Sequence, residues 1–256
     1  MRKLHNFNSG FSLTECLLAI GILAVGMLFI AGVFPVGIHF TTIATERTIA
    51  AVVADEAFAK IRLYALGVPN NPLVGINFSK LDPNQLTDYA QTVSINPIEF
   101  AYPSDPNMDI SQKQYYWSAL CRLTEPYSGP FDPRRLVQVT VFVCRKVGSG
   151  TTYQGWATNW PVPVPVGVSV GPGPDTLQIE PGKEAYINDG YTIVDDENGR
   201  IYRVLERYAP PNHNTVRLDR PWNPGMISPD RVWVVPPPVS GGRYPCIAVY
   251  QRVIRF

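Results

Sequence analysis

Three histidines are the first residues to test for chemistry: His5 near the N-terminus, His39 in an apolar run and His213 in the segment PPNHN. A zinc site needs several N or S ligands at close spacing, and no CxxC accompanies these histidines. A Ser–His–Asp site would have to use His213, and no GxSxG is present to support one. His213 reads as a solvated loop residue. The run DDEN, residues 195–198, precedes Gly199 and clusters carboxylates in a way that suits Ca²⁺. It lacks EF-hand spacing, and a charged hairpin turn is the plainer account. No GxxxxGK[ST] occurs, so no nucleotide site is expected. Trp156, Trp160, Trp222 and Trp233 could line a recognition surface, but β-core packing explains them more simply. These residues predict no enzyme, no cofactor and no metal. What remains is one misplaced carboxylate. No Asp, Glu, Lys or Arg occurs in residues 16–45, yet Glu15 stands at the head of that run, in GFSLTE. A charge at the edge of lipid is costly and calls for a partner.

The element that must position Glu15 is a membrane helix. Residues 16–38, CLLAIGILAVGMLFIAGVFPVGI, reach the roughly 20 residues a bilayer span needs at about 1.5 Å per residue. Arg2 and Lys3 precede the run and no comparable basic cluster follows at once. The positive-inside rule then puts the N-terminus in the cytoplasm and the rest outside, as a single pass through the cytoplasmic membrane. A cleaved secretory signal would have a shorter apolar core closed by a small-residue site, and no A-x-A closes this one. Gly10 lies instead before the run, where a cut would leave the hydrophobic segment on the mature chain.

A short basic leader, Gly10, Phe11, Ser12-Leu13, one further residue, Glu15 and an apolar helix together resemble the class III signal of type IV pilins and type II secretion pseudopilins. The resemblance covers the leader and helix only. It implies a cut between Gly10 and Phe11 and methylation of the new Phe11 amine. The implied partners are a prepilin peptidase/methyltransferase, the membrane, and other pilin or pseudopilin subunits packed through the N-terminal helix. It makes Glu15 the fifth mature residue, where the family keeps a Glu that meets the amine of a neighbouring subunit and sets axial register. Helical spacing also puts Glu15 within reach of its own chain's amine. The alternative is a carboxylate favoured by the helix dipole. Pro35, flanked by Gly32 and Gly37, predicts a kink that could extend on assembly, or a Pro tolerated within a membrane helix.

The helical pattern continues beyond residue 38. Ile49, Val53, Ala57 and Ile61 step by four, and Ala50, Ala54 and Phe58 widen the stripe. Gly67 and Pro69 stop it. The expected architecture is α+β. A leader, 1–10, is removed. A helix, 11–67, spans the membrane at 16–38. It packs on a pilin-like antiparallel β head, 68–159. A Pro-rich linker, 160–175, leads to an added all-β module, 176–256, built as a small barrel or sandwich.

Two strand segments of the head, YYWSALCRLT and RLVQVTVFVCRK, can pair with Thr124 opposite Leu136. Trp117, Ala119, Cys121 and Leu123 then face Val143, Val141, Val139 and Val137. Cys144 falls on the other face beside Tyr116, so a Cys121–Cys144 disulfide is not expected and Cys121 should be a small buried hydrophobe. Asn198-Gly199 marks a hairpin turn. The net charge of +1 gives no reason to expect nucleic acid. The function that follows is a structural subunit of a type IV pilus or type II secretion filament; the alternative is a membrane-anchored exported binding or adhesion module.

Overall fold

The computed structural model describes residues 11–65, 81–92, 97–109, 111–124, 136–146, 150–153, 160–223 and 230–256. The expected leader with Gly10, the helix stop at Gly67 and Pro69, the expected start of the head at 68–80, and Trp156 lie outside the described residues. Helix α1 runs over Leu13–Ala65 with Pro35 inside it. The chain divides into two compact units within this helix, Met1–Glu46 and Arg47–Phe256.

In the first unit the helix is apolar on every side, and Leu18, Leu28, Phe29 and Phe34 are all exposed. A helix without a polar face belongs in lipid or a large core. The stretch Leu13–Tyr64 holds a window long and apolar enough to cross a membrane, with none of that window buried. After Pro35, threonines turn their hydroxyls back onto the helix. Thr41 Oγ1 donates to the carbonyls of Gly37 at 3.0 Å and Ile38 at 2.9 Å, and Thr42 Oγ1 donates to Ile38 at 2.8 Å. Such bonds satisfy polar groups that lipid cannot.

The second unit begins where α1 becomes amphipathic. Ala50, Val53, Ala54, Ala57, Phe58 and Ile61 are buried, as their spacing predicts. There follow β1 (Thr87–Asp88), α2 (Tyr89–Thr92), β2 (Ala101–Tyr102), β3 (Tyr115–Leu123), β4 (Leu136–Arg145) and β5 (Val164–Val170). Then come β6 (Thr176–Ile179), β7 (Thr192–Asp195), β8 (Ile201–Arg207), β9 (Thr215–Leu218), β10 (Asp230–Val234) and β11 (Cys246–Arg255). An antiparallel sheet has the order β1-β3-β4-β11, with β2 also paired to β3. The register of β3 on β4 is the expected one: Trp117, Ala119, Cys121 and Leu123 lie opposite Val143, Val141, Val139 and Val137. These residues share one hydrophobic core with the buried stripe of α1. Alternation puts Leu120, Phe142 and Cys144 in a second core.

The polar anchor of this half of α1 is Lys60. Its Nζ donates to the Glu99 carbonyl at 2.8 Å and to Ser104 Oγ at 2.6 Å, and it lies 3.4 Å from Glu56 Oε1. Arg252 on β11 reaches Asp55 at 2.7 Å and lies over the Phe58 ring.

Strands β10-β5-β6-β9-β8-β7 close a barrel. Its interior holds Val166, Ile179, Ile193, Tyr202, Val216 and Val232. Two sequence expectations change here. Residues 160–175, read as a Pro-rich linker, contain β5, a full member of the barrel. Val164, Val166 and Val168 point inward with period two, while Pro165 lies opposite Trp233, where β5 has β10 as its ladder partner and β6 joins only at Val168–Val170. A strand laddered on one side tolerates a missing N–H on the other. The module read as 176–256 also loses its last strand. β11 leaves the barrel and pairs with β4 along almost its whole length. The barrel is therefore inserted between two neighbouring strands of the head sheet rather than appended after it.

Candidate functional site

The N-terminus of α1 is built by a reciprocal pair. The Ser12 backbone N–H donates to Glu15 Oε2 at 2.9 Å, and the Glu15 N–H donates to Ser12 Oγ at 3.3 Å. This is a capping box: a helix leaves its first N–H groups unsatisfied, and the two side chains satisfy one each. Sequence reasoning missed Ser12, although its signal, S-x-x-E ahead of an apolar run, is legible. Phe11, the residue before it, is fully outside the helix and exposed. Glu15 is exposed too, at the start of the apolar helix. The structure thus brings Phe11 and Glu15 to one helix end, while Gly10 lies outside the described residues and Pro35 sits well along the same helix. The arrangement holds a carboxylate at the exposed start of an apolar helix by bonds that are local to the first turn.

A second constellation lies where the barrel meets the head. The turn after β7, where the sequence favours a charged hairpin turn over a Ca²⁺ site, is a hairpin turn and also a dock. Asp196 Oδ1 accepts from Trp233 Nε1 at 2.6 Å and from the Leu86 N–H at 3.1 Å, and Asp196 Oδ2 lies 2.7 Å from Arg231 Nη2. Asp195 accepts from the Glu197 N–H and from Asn198 Nδ2. Burial pushes the Asp195 carboxyl above its usual range despite those bonds. Both carboxylates are thus engaged by protein donors, and among the described residues no cluster of His, Cys, Asp and Glu could hold a metal.

The sheet completes the dock from its side. Arg122 Nη1 donates to the Glu197 carbonyl at 2.6 Å, and Arg122 Nε donates to Gln138 Oε1 at 2.6 Å. Gln251 Nε2 donates to the Gly199 carbonyl at 2.7 Å and to Thr140 Oγ1 at 3.0 Å. Beside this polar grip, Leu86, Leu120 and Phe142 share an apolar core with Val194, Trp233 and Val235. A head sheet with helix stripe on one face and barrel on the other leaves the barrel little freedom to swing.

The tryptophan candidates among the described residues resolve as packing. Trp222 and Trp233 are buried, and Trp160 stacks on Tyr116 at 4.8 Å beneath Lys146. His213 is half exposed, 3.8 Å from Glu184, at the rim of a shallow depression with Asn188, Arg207 and Tyr208. Comparison with protein-family models, curated proteins and solved structures finds no match.

Proposed function

We propose that the chain is a filament subunit of the type IV pilin class, a minor pilin or a type II secretion pseudopilin. It is cut between Gly10 and Phe11 and assembled through α1. The observation that carries this reading is the segment GFSLTE, placed directly at the start of a lipid-compatible helix. Support comes from the second unit, where the buried stripe of α1 shares a core with an antiparallel sheet. In this reading the Phe11 amine of one subunit pairs with Glu15 of the next. An unpaired charge in lipid costs several kcal/mol, of order 3. The pairing therefore fixes register as the subunit leaves the bilayer.

The barrel inserted into the sheet makes this head bulky. Helices packed in a filament core lie about 10 Å apart. A large head repeated at every step is hard to seat, so the subunit is a low-copy one that starts assembly or displays the barrel to a partner. Mass analysis of the N-terminus of membrane-extracted protein tests the reading. The expected product begins at methylated Phe11, and Gly10→Val, which crowds the scissile bond, leaves the leader attached. A mature chain that begins at Met1, or beyond residue 38, overturns it.

A further inference from the structure

The head sheet and the barrel are joined by two chain passages: one leaves β4, the other enters β11. A cysteine stands at each. Cys144 lies directly opposite Cys246 in the antiparallel ladder between these strands. The neighbouring Arg145 N–H donates to the Pro245 carbonyl at 2.8 Å. That bond makes 145/245 a hydrogen-bonded pair and 144/246 the adjacent non-hydrogen-bonded pair. Opposite residues of that type have Cα atoms about 4.5 Å apart and side chains close together. This falls within the roughly 4.4–6.8 Å that a disulfide accepts. Both cysteines are free thiols in the structure, and the Cys246 thiol donates to the Ala248 carbonyl at 3.7 Å. Both are buried in the core between sheet and barrel, with Leu120, Phe142 and Trp233. Cys121 belongs to the core on the other face, and Cys16 lies in the membrane-compatible part of α1.

We propose that Cys144 and Cys246 are a disulfide site that locks the neck of the inserted barrel. The bond closes a loop holding every barrel strand and ties the outgoing and returning passages together where they leave the sheet. Loops of this length are those for which a cross-link restricts the unfolded chain most. That the pair meets an oxidant rests on the proposed export of the head. The oxidant is a disulfide, carried by an exported thiol–disulfide oxidoreductase or a small molecule. One cysteine thiolate attacks it and forms a mixed disulfide, releasing one carrier thiolate. The second cysteine thiolate attacks that mixed disulfide, forms the Cys144–Cys246 bond and releases the other carrier thiolate. The chain loses two protons and two electrons, and the carrier disulfide becomes two thiols. Because both sulfurs are covered in the folded unit, the exchange belongs to folding, before the barrel seats on the sheet.

The test uses the full-length protein extracted from membranes without reductant. It is alkylated in denaturant and mapped by peptide mass, and protease accessibility in spheroplasts of the same culture reports which side the head occupies. The expected result is one linked peptide pair, Cys144 with Cys246, two hydrogens lighter than its reduced form, with Cys16 and Cys121 alkylated. A single cut within the barrel should then leave the two pieces joined in denaturant until reductant is added, whereas in Cys246→Ala they separate in denaturant without it. An exported head with all four cysteines alkylated, or any other pairing, overturns the proposal and leaves the export reading standing. A head found inside the cell overturns the export reading instead. The purified chain is then unfolded and returned through a glutathione redox buffer, where the Cys144–Cys246 link supports the proposal and four free thiols overturn it.

Discussion

A β-carbon added at Gly199 would lie 2.6 Å from Nε2 of Gln138, a residue on the opposite module. Gly199 also has φ +64°, in the left-handed region, and its carbonyl accepts from Gln251. One glycine therefore serves the hairpin turn and the approach of that turn to the sheet. Gly199→Ala should destabilise the second unit by about 2 kcal/mol, from the strained backbone and the displaced Gln138 together. Thermal unfolding of the detergent-solubilised chain measures this. A companion Gly190→Ala, at φ +77° with open space around it, should retain only the backbone part of the loss.

Asp196 is the hub of the dock, because its carboxylate faces Trp233, the Leu86 N–H and Arg231 at once. Asp196→Ala leaves the Trp233 indole N–H buried without its acceptor, while the Leu86 N–H keeps the Asp196 backbone carbonyl at 2.9 Å. Charged hydrogen bonds of this kind are worth about 1.5–3 kcal/mol each when lost. The variant should unfold at lower denaturant concentration and show faster protease cleavage in the segments joining barrel and head. Arg231→Ala should cost less, since the guanidinium is partly exposed and its attraction is screened.

The buried Asp195 carboxyl gives the dock a pH dependence. Burial raises its pKa in the folded chain, with Asp230 adding to the rise and Asn198 opposing it. Between the unfolded value near 3.9 and the raised folded value, the folded state binds more protons than the unfolded state. The contribution of Asp195 to stability therefore increases as pH falls through that window and is constant above it. Asp195→Asn removes this part of the profile. Subtracting its melting curve against pH from that of the parent should leave a component that declines as pH rises toward neutrality. A component that climbs with pH would contradict the assignment.

What the sequence disclosed depended on whether the signal was local. The stripe from Ala50 to Ile61, the β3–β4 register and the Asn198-Gly199 hairpin rest on short-range periodicity and turn chemistry, and all three are present. β5 was obscured by its prolines, although Val164, Val166 and Val168 already alternate. β11 carried no local mark of which sheet it would join. Its choice depends on β4 offering a free edge some hundred residues earlier, and such pairings are decided by the whole core. The Cys144–Cys246 apposition was hidden for the same reason. At the helix start, Glu15 was legible from its cost in lipid, and the S-x-x-E spacing of Ser12 and Glu15 was a local signal of the capping box that the geometry shows.

Ser12 and Glu15 also allow the cap to be separated from assembly. In the isolated chain the Glu15 carboxylate accepts the Ser12 N–H, and the Ser12 hydroxyl accepts the Glu15 N–H. Ser12→Ala removes the second bond and should fray the first turn by about 1 kcal/mol, a normal loss for a helix cap. It leaves the carboxylate in place and able to meet an amine from a neighbouring subunit. Glu15→Ala removes the carboxylate itself. Under the filament reading both variants are cut after Gly10 and remain in the membrane, but only Glu15→Ala fails to enter filaments. Glu15→Gln, which keeps a cap acceptor without the charge, should behave like Glu15→Ala. Immunoblots of sheared filaments against membrane fractions give the ratio for each variant. Equal incorporation of Glu15→Gln and the parent would limit Glu15 to capping its own helix. Equal loss in Ser12→Ala and Glu15→Ala would make helix order, rather than charge pairing, the requirement for assembly.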